Sequence, residues 1–302
     1  MNIIFMGTPD FAIPSLSALV QSKHKVVAVV TTPDKERGRG QKVSFTPVKE
    51  FAVKNSIPVL QPEKLKDEKF ISDLKSFNAD LFVIVAFRIL PREVFTIPSR
   101  GSFNLHGSLL PKYRGAAPIQ WALIKGESET GLTTFMLADK VDTGNILLQE
   151  KIEIQSEDNF ESLHDRMSLK GAELVIKTVD KIDSGNFELI KQDDSLATPA
   201  PKITKEICLI DWNKSAQEIH NLIRGLSPHP AAFFHSNNKV IKVYKTEIVS
   251  DKNLKPNEIY QSKTELIIGC GKDALQILEI QQEGKKRMSV EEFLRGFSFL
   301  KL

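Results

Sequence analysis

Three residues combine the chemical types needed to move an acyl-like group between nitrogens: Asn104, His106 and Asp142. An amide donates a hydrogen bond to an oxygen that is gaining charge, an imidazole carries protons, and a carboxylate orients the imidazole or an ordered water. Together they suit attack of a neutral amine on a formyl carbon. Asn104 would donate to the developing oxyanion. His106 would support that charge and shuttle protons between the amine and the leaving nitrogen, while Asp142 would hold the imidazole or a water in place. The spacing agrees with this use, because alternation along a strand puts Asn104 and His106 on one face. The stretch Asn104-Leu105-His106-Gly107-Ser108-Leu109-Leu110-Pro111 leads through Lys112-Tyr113-Arg114-Gly115 towards a helix, and Asp142-Thr143-Gly144 falls on a turn between two expected strands. A short carboxylate on such a turn can point back into a cleft. Each residue taken alone also suits a structural use: Asn or His caps a strand end, and Asp-Thr-Gly makes an ordinary turn.

Elements able to position these groups are legible in the periodicity. The apolar run 2–6 ends at Gly7 and is followed by an amphipathic stretch from Asp10 to Ser22 and a β-branched run from Val26 to Thr31. That is strand, helix, strand, the opening of a parallel sheet. Thr46 and Pro47 suit the N-cap and first residue of a helix over 47–55, Val59 lies in a short strand, 67–77 reads as helix, and Leu81–Ala86 reads as a strand buried on both faces. Further strands near 102–106 and 131–137 flank a helix at about 117–125, and a long helix runs from about Phe160 to Asp183. The fold class expected is α/β, a doubly wound, mostly parallel, Rossmann-like sheet, whose ligand edge is formed by the carboxyl ends of the strands. From Lys191 to Glu206 the composition turns to Asp, Ser, Thr, Pro and Lys, with Pro199 and Pro201 opposing regular structure, so 191–206 reads as a linker between domains at 1–190 and 207–302. After a helix at about 215–225, β-type runs at 239–248, 265–269 and 274–280 alternate with turn residues, as in a small antiparallel, OB-like barrel.

Several function classes are disfavoured. Gly7-Thr8-Pro9-Asp10 follows the first strand without the second and third glycines of a dinucleotide fingerprint. Gly269-Cys270-Gly271-Lys272-Asp273 lacks the upstream Gly and the following Ser or Thr of a phosphate loop and reads as a turn. Cys208 and Cys270 are isolated from each other and read as free thiols, and the six histidines show no metal-ligand spacing, so no metal is expected. There is no signal-like or membrane-spanning run, which makes a cytoplasmic enzyme the expectation. The net charge of +3 is too small for a general polyanion coat. The charge is unevenly divided, however: residues 201–302 carry 16 Lys and Arg against 12 Asp and Glu, and residues 1–200 carry 25 against 26. The second half is therefore the mildly basic one, a balance that suits either a polyanion-binding module or solvated surface.

The Asn-x-His followed by Ser-Leu-Leu-Pro, with Asp-Thr-Gly downstream, resembles the catalytic signature of the folate-dependent formyltransferases. Phe5-Met6-Gly7-Thr8-Pro9-Asp10-Phe11-Ala12, the run Ser108 to Ile119 and the segment Ile210-Asp211-Trp212 to Arg224 are similar to the branch of that family acting on methionyl-tRNA, and the resemblance covers nearly the whole chain. It implies 10-formyltetrahydrofolate as the formyl donor and methionyl initiator tRNA as the acceptor. It also implies catalytic roles for Asn104, His106 and Asp142 and folate contacts at Ser108, Leu109, Leu110 and Pro111. Where many members carry Ala-Tyr-Gly, this chain has Ala86-Phe87-Arg88 before Ile89-Leu90-Pro91, closer to the strand end of glycinamide ribonucleotide formyltransferase. Arg88 would then meet the glutamate of folate or point to solvent. The glycine-interrupted basic loop Asp34 to Lys42 resembles the family's acceptor-stem loop; Arg39 matches its functional arginine best, with Arg37 and Lys42 beside it and Lys202 and Lys205 in the linker as weaker matches. A sugar- or nucleotide-amine formyltransferase would share the three catalytic residues without needing the basic loop. A folate- or RNA-binding module with a vestigial site is disfavoured by the intact Asn104, His106 and Asp142.

Overall fold

The computed structural model describes residues 1–37, 42–250 and 253–299, with the backbone alone for 35–37 and 42–43. In chain order the first elements are β1 (Asn2–Gly7), α1 (Ile13–Gln21), β2 (Lys25–Val30), β3 (Lys35–Arg37), β4 (Lys42–Ser44), α2 (Pro47–Lys54), β5 (Val59–Leu60), α3 (Glu68–Ser76) and β6 (Leu81–Val85). They are followed by α4 (Arg92–Phe95), β7 (Ser102–His106), β8 (Arg114–Gly115), α5 (Pro118–Ile124), β9 (Glu129–Met136), β10 (Ile146–Glu153) and α6 (Phe160–Ser184). The helix starts follow local chemistry. Thr46 Oγ1 accepts from Lys49 N at 3.1 Å ahead of Pro47, and the Asp67 carboxylate accepts from Phe70 N at 3.1 Å, each satisfying an amide that the first turn leaves open.

The chain divides into two compact units: Met1–Gly115 with Thr130–Ile152 and His164–Pro199, and Ala116–Glu129 with Glu153–Leu163 and Ala200–Leu302. The first unit is built on a sheet of spatial order β10-β9-β7-β6-β1-β2-β5. β1 is parallel to both β2 and β6, β6 is parallel to β7, β2 is parallel to β5, and β9 runs antiparallel to β7. The expected doubly wound, mostly parallel sheet is therefore present. Strand order reverses between β1 and β6, which places a switch point at the carboxyl ends of these strands, where open α/β sheets bind ligands. Continuous burial of Ile3, Ile4, Phe5 and Met6 and of Leu81 to Val85 fits strands covered on both faces. On one face Ile4, Met6, Val30, Phe82 and Ile84 pack against Phe70 and Leu74 of α3. Gly7 allows the close approach at the end of β1: a Cβ there would lie 2.9 Å from that of Ala12 and 3.0 Å from Val85 O.

The second unit contains α7 (Ala216–Leu226), for which β11 (Pro199–Ala200) is the preceding element, and then β12 (Ala232–Ser236), β13 (Lys239–Val249), β14 (Ile259–Gln261), β15 (Leu266–Gly269), β16 (Ala274–Gln282), β17 (Met288–Ser289) and α8 (Val290–Leu294). Its antiparallel strands follow the order β12-β13-β16-β15-β14, with β17 on β16. Trp212, Ile219, Ile223, Phe234, Ile241, Val243, Ile268, Ile277 and Phe293 belong to its core. Ser215 and Glu218 form a reciprocal capping box at the start of α7. Gly225 on α7 lets α5 come close, since a Cβ would lie 2.8 Å from Ile124 Cγ1 and 3.2 Å from Gln120 O. Gly269 to Asp273 is the turn between β15 and β16, closed by Cys270 N donating to Asp273 O at 3.1 Å, as read from sequence. Both cysteines are free and buried. The expectation that Pro199 and Pro201 prevent regular structure is corrected by the two-residue strand at Pro199–Ala200: a proline is tolerated at the first position of so short a strand, where no ladder donor is required of it. No helix among the described residues is long and apolar enough to cross a membrane.

Candidate active site

β7 delivers Asn104 and His106 at its carboxyl end, in register with Ile84 of β6 and with Phe135 and Thr133 of β9. Asn104 is half-buried, and its side chain has no hydrogen-bond partner among the described residues. His106 is buried, with its ring edge-on to Phe135 at a centroid distance of 6.4 Å. Its Nε2 lies 2.9 Å from Tyr113 O. A backbone carbonyl can only accept, so in the neutral imidazole the proton is on Nε2 and the lone pair is on Nδ1. Nδ1 lies 3.9 Å from Asp142 Oδ2. This is too long for a direct hydrogen bond, and two acceptors at this distance are suited to sharing a donor such as a water or an amine.

Asp142 lies on the turn that follows β9, with φ of 55°, and its Oδ2 accepts from Gly115 N at 2.9 Å. Ala86 at the end of β6 and Tyr113 also have positive φ, 48° and 59°. Of these, Ala86 and Tyr113 are residue types that rarely occupy this region, whereas an aspartate enters it more readily. Gly144 cannot be replaced without moving the turn, because a Cβ would lie 1.6 Å from Met136 O.

The loop after His106 is held internally. Ser108 Oγ donates to Lys112 O at 2.6 Å, Thr133 Oγ1 donates to Ser108 O at 2.7 Å and accepts from Leu110 N at 3.0 Å, and Gln149 Nε2 donates to Leu110 O at 2.9 Å. Ser108 and Leu110 are buried, and Leu110 packs with Phe135 and Ile146; Leu109 and Pro111 are half-buried. The structure thus brings Asn104, His106 and Asp142 together at one sheet edge, with Ser108 to Pro111 continuing from the same strand. Arg88 is half-buried and does not simply point to solvent. Its guanidinium donates to Pro62 O at 2.7 Å and to Glu63 O at 3.0 Å, and burial lowers its pKa. It ties the loop after β5 to the end of β6.

Lys202 and Lys205 are exposed. Arg39 lies outside the described residues, and Arg37 and Lys42, of the paired strands β3 and β4, are described by their backbone alone. Among the described residues no group of three or more His, Cys, Asp and Glu is placed to hold a metal ion.

Sequence reasoning missed a set of supporting polar groups. Gln192 is buried; its Nε2 donates to Asp142 O at 2.9 Å and Gly144 O at 2.8 Å, and its Oε1 accepts from Arg114 Nη2 at 2.7 Å and Nε at 3.1 Å. Thr198 accepts from Tyr113 N through Oγ1 at 2.8 Å and from Arg114 N through its carbonyl at 2.9 Å. Nothing local in a polar, proline-bearing stretch distinguishes Gln192 or Thr198 from solvated loop, and Thr133 is one of three buried threonines of β9 that the sequence does not tell apart.

A family model described as formyl transferase matches residues 1–179, and one described as formyl transferase, C-terminal domain, matches residues 202–298. The chain belongs to the formyl transferase family. It is 49 % identical over 299 residues to the methionyl-tRNA formyltransferase of Caldanaerobacter subterraneus subsp. tengcongensis, an alignment covering 98 % of this chain and 97 % of that protein. It is 46 % identical over 298 residues to the methionyl-tRNA formyltransferase of Geobacter metallireducens, covering 98 % of this chain and 96 % of that protein. Among solved structures, it matches WlaRD, a sugar 3N-formyl transferase crystallised in the presence of dTDP and 5-N-formyl-THF, with a TM-score of 0.70 and 22 % identity, covering 95 % of this chain and 99 % of that chain. At that identity the likeness is one of fold. Formyl transferase membership agrees with the resemblance carried by the Asn-x-His and Asp-Thr-Gly motifs.

Proposed function

We propose that this formyl transferase moves the formyl group of 10-formyltetrahydrofolate to the α-amine of methionyl initiator tRNA, in the cytoplasm. The observation that carries the chemistry is the 3.9 Å spacing of His106 Nδ1 and Asp142 Oδ2, with Nε2 engaged by Tyr113 O. The amine nitrogen attacks the formyl carbon, and the oxyanion that develops is met by the Asn104 amide. As the new C–N bond forms, the amine gives up a proton towards His106 Nδ1. The bond from the formyl carbon to the folate nitrogen then breaks, and that nitrogen takes up a proton from the imidazolium, which Asp142 stabilises in the interval.

Folate fits the loop Ser108 to Pro111 in part through surface and in part through support. Leu109 and Pro111 keep exposed surface for a ligand to cover, while Ser108 and Leu110 would contribute by fixing the loop. The acceptor is proposed from the chain's likeness to the methionyl-tRNA formyltransferases named above and from its basic residues. Arg37, Arg39 and Lys42, with Lys202 and Lys205, would supply contacts to the phosphate backbone. The division of labour proposed is catalysis by 1–190, tRNA binding by 207–302 and a connection through 191–206. Formylation of charged initiator tRNA with 10-formyltetrahydrofolate tests the reading. Formyl transfer to a sugar amine with none to methionyl-tRNA would replace it.

A further inference from the structure

The four hydrogen-bonding positions of the Gln192 amide are all used, and all on the two segments that frame the catalytic carboxylate. Both Nε2 protons go to the turn that carries Asp142, one to its own carbonyl and one to that of Gly144, and both Oε1 lone pairs accept from the Arg114 guanidinium. Arg114 also donates from Nη2 to Asp194 Oδ1 at 2.6 Å, and the next residue, Gly115, donates its N–H to Asp142 Oδ2 at 2.9 Å. The contacts form a closed ring: side chain of Asp142, backbone of Gly115, side chain of Arg114, side chain of Gln192, backbone of Asp142. Gln192 is 6 % exposed although Lys191 and Asp193 on either side of it are exposed. A satisfied, buried amide in a hydrophilic stretch is expensive to desolvate and holds one geometry.

That geometry is needed where it is found. Asp142 has a left-handed backbone conformation that asparagine and aspartate adopt more readily than other side-chain-bearing residues, and its carboxylate reaches His106 across a gap sized for a shared proton donor. We infer that Gln192 is a positioning residue for formyl transfer: it holds the Asp142 turn so that the carboxylate faces His106. The inference rests on the catalytic reading above.

Gln192→Met removes all four contacts, and Gln192→Glu keeps an acceptor for Arg114 while removing both donors to the turn. Single-turnover and steady-state formylation of methionyl initiator tRNA are measured for both variants, for Asp142→Asn and for the double variants, with thermal melting alongside. A displacement of about 1 Å is expected to lower kcat by roughly 10–100-fold with little change in KM for either substrate. Because Gln192 acts through Asp142, its replacement in the Asp142→Asn background is expected to cost less than about 2-fold, a coupling that a merely structural residue would not show. If Gln192→Met does not fold, Gln192→Glu provides the same cycle. Unimpaired kcat in a folded Gln192 variant, or losses that multiply in the double variant, overturns the inference while leaving the catalytic reading intact. An active Asp142→Asn overturns both.

Discussion

Asp142→Asn separates charge from shape at the site. Asparagine is the non-glycine residue best suited to the positive φ of 55° at this position, and its carbonyl oxygen can still accept from Gly115 N. The turn and the loop it braces should therefore persist, with a melting temperature close to that of the parent. What disappears is a negative charge 3.9 Å from His106 Nδ1. At an effective dielectric of about 20, a unit charge pair at this separation is worth about 4 kcal/mol, and that is the most the imidazolium formed during transfer can lose. The Asp142 side chain is 12 % exposed, so some screening applies, and the expected fall in kcat is about 10²–10³-fold, within the range of a positioned acid–base system. Single-turnover transfer under saturating folate and methionyl-tRNA isolates the step, and folate binding measured by fluorescence should be unchanged. A kcat within about 3-fold of the parent, in a folded protein, would refute the assignment of a charge-bearing role to Asp142.

Arg39→Ala should weaken methionyl-tRNA binding, reduce its log–log salt slope by about one unit and leave folate-dependent background hydrolysis unchanged; equal kinetics at every salt concentration would make the loop solvated surface. Burial raises the Cys270 thiol to about 11 and also raises that of Cys208, so neither should react with a disulfide reagent at pH 8 until denaturant is added, and rapid labelling of the native protein would contradict their burial. Burial, assisted by the Arg224 guanidinium, lowers the pKa of His220, which contacts Thr246 Oγ1 at 2.9 Å. The unfolded chain therefore takes up this proton first, so its contribution to stability is complete above about pH 6.5 and is lost as the pH falls towards the lower folded value. His220→Gln should flatten the acid side of the urea-stability profile measured between about pH 7.5 and pH 5, and an unchanged slope would exclude this residue as its source.

How far the sequence reached depended on the range of the interactions involved. Val26–Thr31 and Leu81–Ala86 were legible as strands because they are nearly uninterrupted β-branched and apolar runs, 102–106 because Phe103 and Leu105 alternate with polar residues, and the helix at Pro47 because its cap is local. Of the proposed catalytic triplet, Asn104 and His106 were paired by strand alternation and Asp142 was found through the resemblance to a family motif, and the structure brings those three residues together. Short elements such as β12, α4 and α8 escaped, since four or five residues give too little periodicity to read. Arg88 and Gln192 escaped for a different reason. Arg88 pairs with carbonyls at 62 and 63, and Gln192 with groups at 114, 142 and 144, so their roles exist only once distant segments have met.

The discontinuity of the second unit bears on how the chain is made. Helix α5, within Ala116–Glu129, packs in that unit beside α7, whose Gly225 accommodates Ile124. During synthesis α5 leaves the ribosome on the order of 100 residues before α7, an interval of roughly 5–20 s at ordinary elongation rates. Its apolar residues Ile119, Ala122 and Leu123, all buried in the finished protein, have no α7 to pack on through that interval. The second unit, begun at Ala116, therefore cannot be finished until after the last residue of the first has emerged, and a nascent chain stalled before residue 216 should recruit holding chaperones through this short helix.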